Sequence, residues 1–96
     1  MSITIIGGNE CMVNNYKQLC KKYKCKAKVF TQPSGSLRKQ IGSPDILILF
    51  TSTVSHKMVH SALSAVNGTC ANVVRSHSSS ITALKEILEE QTNVSV

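Results

Sequence analysis

Two short segments gather the side chains best suited to chemistry. Arg75-Ser76-His77-Ser78-Ser79-Ser80 sets a guanidinium, an imidazole and four serine hydroxyls in one stretch, where capping a following helix needs one hydroxyl. Arg75 can clamp an anion through two parallel N–H bonds. His77 can ligate a metal or haem iron through a neutral ring nitrogen, with a serine or a carbonyl fixing its tautomer. Thr51-Ser52-Thr53-Val54-Ser55-His56-Lys57 sets hydroxyls, an imidazole and an ammonium at a predicted helix start, where free N–H groups and the helix dipole favour a carboxylate or phosphate. The plain alternative is capping by the hydroxyls and solvated loop histidines. Capping explains the Thr and Ser residues but accounts poorly for His56 and Lys57. His60 lies off the apolar stripe of its helix and reads as solvated.

A third segment, Gly7-Gly8-Asn9-Glu10, leaves room for close backbone approach at a helix N-terminus, yet it is neither GxGxxG nor a Walker loop. A tight turn without a ligand explains it equally well. Enzyme templates fail on position. A phosphoacceptor domain would carry acids after its first strand and an Asp ending its third; here those places hold Gly7-Gly8 and Phe50-Thr51. Phosphocysteine sugar-transport domains place the cysteine directly after strand 1, whereas Cys11 comes four residues after Gly7. A Ser-His-acid triad lacks its acid, since Asp45 opens a strand at the far rim. No two carboxylates converge in the crevice. A binding module rather than an enzyme is the expectation.

The elements that must position these residues follow from periodicity. Ile3 to Ile6 is a β-branched run ended by Gly7-Gly8. Met12, Val13, Tyr16, Leu19, Cys20 and Tyr23 form an amphipathic stripe that predicts a helix over 10–24. Ala27, Val29 and Phe30, interrupted by lysines, read as an edge strand, closed by Gln32-Pro33-Ser34-Gly35. Leu37 and Ile41 mark a short helix ended by Gly42-Ser43-Pro44. Ile46-Leu47-Ile48-Leu49-Phe50 is continuously apolar, as a central parallel strand covered on both faces must be. Thr51-Ser52-Thr53 offers the N-cap of a third helix, with Val54, Met58, Val59, Ala62, Leu63 and Val66 inward and Asn67-Gly68 as its stop. Ala71 to Val74 is a fourth strand, followed by a helix with Ile81, Leu84, Ile87 and Leu88 inward; the last six residues read as frayed.

Strands spaced in this way, each followed by a helix, predict right-handed parallel crossovers and a three-layer, Rossmann-like α/β sandwich with strand order 2-1-3-4 over one domain, residues 1–96. The order reverses between strands 1 and 3, and ligands of such folds bind outside the strands' C-terminal ends at that point. Gly7, Gly8, Thr51, Ser55, His56, Lys57, Arg75, His77, Ser78 and Ser79 should therefore share one rim.

Composition narrows the setting. The 96 residues suffice for one domain with a modest core. Met1 is followed at once by an apolar run without a basic leader, and no apolar stretch approaches the roughly 20 residues of a membrane span, so a cytoplasmic protein without membrane contact is expected. Cys11, Cys20, Cys25 and Cys70 match no zinc, redox or haem-attachment spacing. Cys20 and Cys70 read as small hydrophobes, while Cys11, near a helix start, is the one placed for thiolate character. The net charge is +6, and residues 1–40 hold eight of the eleven basic residues (Lys17, Lys21, Lys22, Lys24, Lys26, Lys28, Arg38, Lys39) against Glu10 alone. Such a face can bind nucleic acid or an acidic partner. A solvated face is the alternative, because only Tyr16 and Tyr23 interleave with the bases, and both sit at core spacing.

Across nearly the whole chain, the Ile-Ile-Gly-Gly opening, the Thr-Ser-Thr-Val-Ser-His-Lys exit of strand 3 and the Arg-Ser-His-Ser-Ser-Ser exit of strand 4 resemble a family of small bacterial Rossmann-like domains of unknown function. Some of its members look like haem-binding proteins that carry an Arg-His-Ser-Ser motif at this last loop. The resemblance implies His77 as iron ligand, Arg75 as partner of a propionate or of an oxygen ligand, and Ser78 and Ser79 as hydrogen-bonding neighbours. In this chain Ser76 separates the Arg from the His, and His56 in the adjoining exit is the competing ligand. A pocket of roughly 300–1,000 Å³ is hard to enclose in so small a domain, so haem would need a second subunit, and the open sheet edges offer a homodimer contact. A phosphorylated metabolite or nucleotide in the same crevice is the rival ligand, held by Ser55, Lys57, Arg75 and the helix N-termini.

Overall fold

A computed structural model describes residues 2–31, 37–42, 44–69 and 71–92. Four parallel strands, β1 (Ser2–Ile6), β2 (Lys26–Phe30), β3 (Ile46–Phe50) and β4 (Asn72–Ser76), form one sheet in the expected order β2-β1-β3-β4. Ile3 to Ile6 of β1 and every residue of β3 are buried, as the central places demand. The edge strands are only partly covered. Helices α1 (Val13–Lys22), α2 (Leu37–Ile41) and α3 (His56–Val66) connect them, and α4 (Ile81–Thr92) follows β4.

Strand alternation divides the core in two. Ile3, Ile5, Ile46, Ile48 and Phe50 face α1 and α4 and meet Tyr16, Cys20, Leu84 and Leu88. Ile6, Leu47 and Leu49 face α2 and α3 and meet Ile41, Met58, Ala62 and Val66. The apolar stripes read from the sequence are thus the buried faces, and Tyr16 and Tyr23 are core residues.

The differences lie at element ends. The start of the first helix is a 3-10 turn, Glu10–Met12, because the Asn9 side chain accepts from the Cys11 N–H. Its far end reverses at Lys24 (φ 58°), where the Cys25 N–H donates to the Cys20 carbonyl at 3.0 Å and the Lys24 N–H to the Lys21 carbonyl at 2.9 Å. This six-to-one, five-to-two closure satisfies the last carbonyls. Strand β4 runs through Ser76, not Val74, since Arg75 and Ser76 continue the ladder opposite Leu49 and Phe50. Helix α4 extends to Thr92, two residues into the segment expected to fray. Gln32-Pro33-Ser34-Gly35, Ser43 and Cys70 lie outside the described residues. No helix among the described residues is long and apolar enough to cross a membrane.

Candidate functional site

Parallel strands carry the turns after β1, β3 and β4 to one rim, and hydrogen bonds tie the three together. The Gly8 N–H donates to Thr53 Oγ1 at 2.7 Å, and Thr53 Oγ1 donates to the Phe50 carbonyl at 3.1 Å. The Thr51 N–H donates to the Ser76 carbonyl at 2.8 Å. Tyr16 Oη, reaching up from α1, donates to the Ser79 carbonyl at 2.6 Å and accepts from the Asn9 N–H at 3.4 Å.

These ties fill places that the sequence left open for a ligand. Gly7 and Gly8 have φ of 97° and 89°, a region that disfavours any side chain. A Cβ on Gly7 would lie 2.8 Å from Thr53 Oγ1, and one on Gly8 would lie 2.8 Å from Tyr16 Cε2. The protein's own side chains therefore occupy the free faces of both glycines. The serines from the end of β4 onward are likewise engaged: Ser76 Oγ donates to the Ser78 carbonyl at 2.8 Å, Ser78 Oγ donates to Ser80 Oγ at 3.1 Å, and Ser80 Oγ accepts from the Ala83 N–H at 3.2 Å. Ser80 is the cap of α4 in function, and the others brace its loop.

Capping of α3 also differs from expectation. Ser55, with extended backbone, is the N-cap and accepts from the Met58 N–H at 3.3 Å. Thr51, Ser52 and Thr53 form a turn before it, because Thr53 spends its hydroxyl on the Gly8 and Phe50 backbone.

Once these structural roles are removed, one constellation remains on this rim among the described residues. Thr51, Val54, His56, Val59 and Arg75 line a shallow depression of about 280 Å³ between the start of α3 and the end of β4. Thr51, His56 and Arg75 are exposed, and Val54 and Val59 half-buried. The strand holds Arg75 on the α3 side, opposite Leu49, and α3 presents His56 in its first turn. Lys57 and His77 are exposed on the same rim but outside that lining. Val54 and Val59 had no signature of their own, since in the sequence they belong to the stripe of α3.

The remaining chemistry is dispersed. Among the described residues no three His, Cys, Asp or Glu side chains stand close enough to hold a metal ion. The Asp45 carboxylate accepts from the Ser2 N–H at 2.7 Å at the opposite rim. Cys11 is exposed, while Cys20 and Cys25 are buried free thiols. Burial, with Cys25 beside it, pushes the Cys20 thiol up to about 12; burial also raises Cys25. The lysines of α1 and β2 are exposed around the β2 edge, across the sheet from Arg75.

A family model described as an uncharacterized protein conserved in bacteria (DUF2325) matches residues 2–91. The chain belongs to this family. The match takes in all four strands and the α3–β4 rim, so the depression is built entirely from residues inside the DUF2325 match. No curated protein and no solved structure matches the chain.

Proposed function

We propose that this DUF2325 chain is a non-enzymatic binding module whose site is the depression of Thr51, Val54, His56, Val59 and Arg75, and that it takes haem, a ligand with an apolar body and anionic arms. The supporting observation is that a guanidinium and an imidazole border one hollow with two valines between them. The guanidinium suits a carboxylate, a neutral imidazole nitrogen suits iron, and valine methyls suit a porphyrin face. His56 takes the place that the family resemblance gave to His77. A hollow of about 280 Å³ falls just short of the roughly 300–1,000 Å³ of enclosed ligand sites, so one copy would cover part of the ligand.

Titration of haemin into the purified protein tests the reading. The expected outcome is a sharp Soret band, lost in His56→Ala, retained in His77→Ala and about tenfold harder to saturate in Arg75→Ala, the loss of one ion pair of about 1.4 kcal/mol. A spectrum untouched by His56→Ala removes the site. If haemin leaves no band while inorganic phosphate or a nucleotide raises the melting temperature, the hollow serves a phosphorylated ligand instead.

A further inference from the structure

We propose that β4 is a self-association edge, along which two copies pair antiparallel about a two-fold axis at Val74 to give one eight-stranded sheet. The two edges of the sheet differ in kind. β2 carries exposed Lys26 and Lys28, the usual protection of an edge against further pairing, and the lysines of α1 surround it. β4 has no lysine, and its Val73, 40% exposed, is the one large exposed hydrophobic among the described residues. Charge points the same way. Residues 1–40 carry eight basic side chains against one acid, whereas residues 41–96 carry Lys57, Arg75 and Lys85 against four acids. Joining two copies through β4 keeps the basic ends far apart; joining them through β2 would press them together.

The backbone fixes the register. The Asn72 N–H donates to the Asp45 carbonyl and the Ser76 carbonyl accepts from the Thr51 N–H, so residues 72, 74 and 76 turn their polar groups toward β3. Val73 and Arg75 then turn theirs to the open side. Antiparallel strands exchange both bonds between directly opposed residues, and setting Val73 against Arg75 of the second copy uses all four outward groups of each strand. Val74 then meets its own copy at the axis. Opposing Arg75 to Arg75 would use fewer bonds and face like charges.

Side chains agree with that register. Val73 pairs with Leu47 across β3 and so stands on the α3 face of the sheet, where Val59 and Leu63, one helical turn apart and both half-buried, leave the strand uncovered. The stem of Arg75 from the second copy would cover Val73. Since a two-fold axis normal to the sheet keeps faces together, α3 of each copy would border a trough floored by both Val73 and Arg75 pairs. Because the strands run antiparallel, the two His56 side chains and their hollows would stand at opposite ends of that trough, as two sites related by the axis. The pairing rests on the edge alone; only the ligand role of the trough rests on the haem reading.

Sedimentation of the haem-free protein tests the pairing. Wild type is expected to run as a dimer of the 10.4 kDa chain, and Val73→Lys as a monomer with unchanged far-UV circular dichroism. In a background with Cys11 and Cys70 replaced by Ser, Val74→Cys should cross-link to a covalent dimer under copper phenanthroline, because residues opposed at a non-bonded pair lie within disulfide reach. Arg75→Cys should not, being displaced along the strand from its own copy. A monomeric wild type at about 100 µM, a dimeric Val73→Lys, or cross-linking of Arg75→Cys in place of Val74→Cys would overturn the proposal. A haem-free dimer that gives no Soret band sinks the haem reading alone, whereas a haem-binding monomer sinks the pairing alone.

Discussion

The phenol of Tyr16 donates to the carbonyl of Ser79 at 2.6 Å, across 63 positions of sequence. Its ring is buried and lies 5.5 Å from that of Phe50, so one side chain joins the apolar layer under α1 to the loop after β4. Tyr16→Phe should keep the ring packing and lose the bond. The cost expected is about 1–2 kcal/mol of unfolding free energy, because the Ser79 carbonyl loses its partner in a half-buried loop. Urea denaturation measures it. A Tyr16→Phe variant as stable as wild type would mean that the tie does not hold the rim.

The turn after β1 should tolerate nothing larger than glycine. Gly7→Ala and Gly8→Ala meet both an adverse φ and a neighbour at 2.8 Å, whereas Gly42→Ala has φ 63° and no atom within 4 Å. Strain alone costs on the order of 1–3 kcal/mol. Thermal melts should therefore rank the Gly7 and Gly8 variants well below the Gly42 variant. Equal losses at all three positions would show that conformation, not packing against Thr53 and Tyr16, sets the requirement.

How far these features can be read from sequence depends on the range of the interactions behind them. Ile46 to Phe50 announces a buried central strand by composition, and the strand order follows from the handedness of crossovers. Ser55 against Thr51–Thr53 could not be settled locally. All four residues can cap a helix, and what decides is the Gly8 N–H arriving from β1 to engage Thr53. Arg75 and His77 looked like two members of one loop. The ladder to β3 holds Arg75 in the strand, and His77 leaves in the bend beyond it. Val54 and Val59 were hidden because a helix stripe has the same pattern whether it faces a core or borders a hollow.

The buried thiols should be inert and should make stability fall in alkali. Burial pushes the Cys20 thiol up to about 12 in the folded chain, from about 9.0 when unfolded. A raised folded value means that its contribution is complete below about pH 9 and is lost as pH climbs toward 12, by about 1.4 kcal/mol per unit. Peptide-resolved iodoacetamide labelling at pH 8 should modify Cys11 and spare Cys20 and Cys25 until denaturant is added. Modification of Cys20 in native protein at the rate of Cys11 would contradict its burial.

Two hydroxyls set the start of α3, and with it the position of His56 against Arg75. Ser55 Oγ satisfies the Met58 N–H, a cap whose removal in Ser55→Ala should cost about 1 kcal/mol. Thr53 Oγ1 does different work, since it receives the Gly8 N–H and gives its proton to the Phe50 carbonyl. Thr53→Val keeps the shape and deletes both bonds, so it should cost at least as much as Ser55→Ala and loosen the preceding turn rather than the helix. Amide hydrogen exchange separates the two: Ser55→Ala should speed exchange at Met58, and Thr53→Val at Gly8. Faster exchange at Gly8 in Ser55→Ala, with Thr53→Val unchanged there, would reverse the two roles and leave the β1 turn unconnected to the α3 side of the hollow.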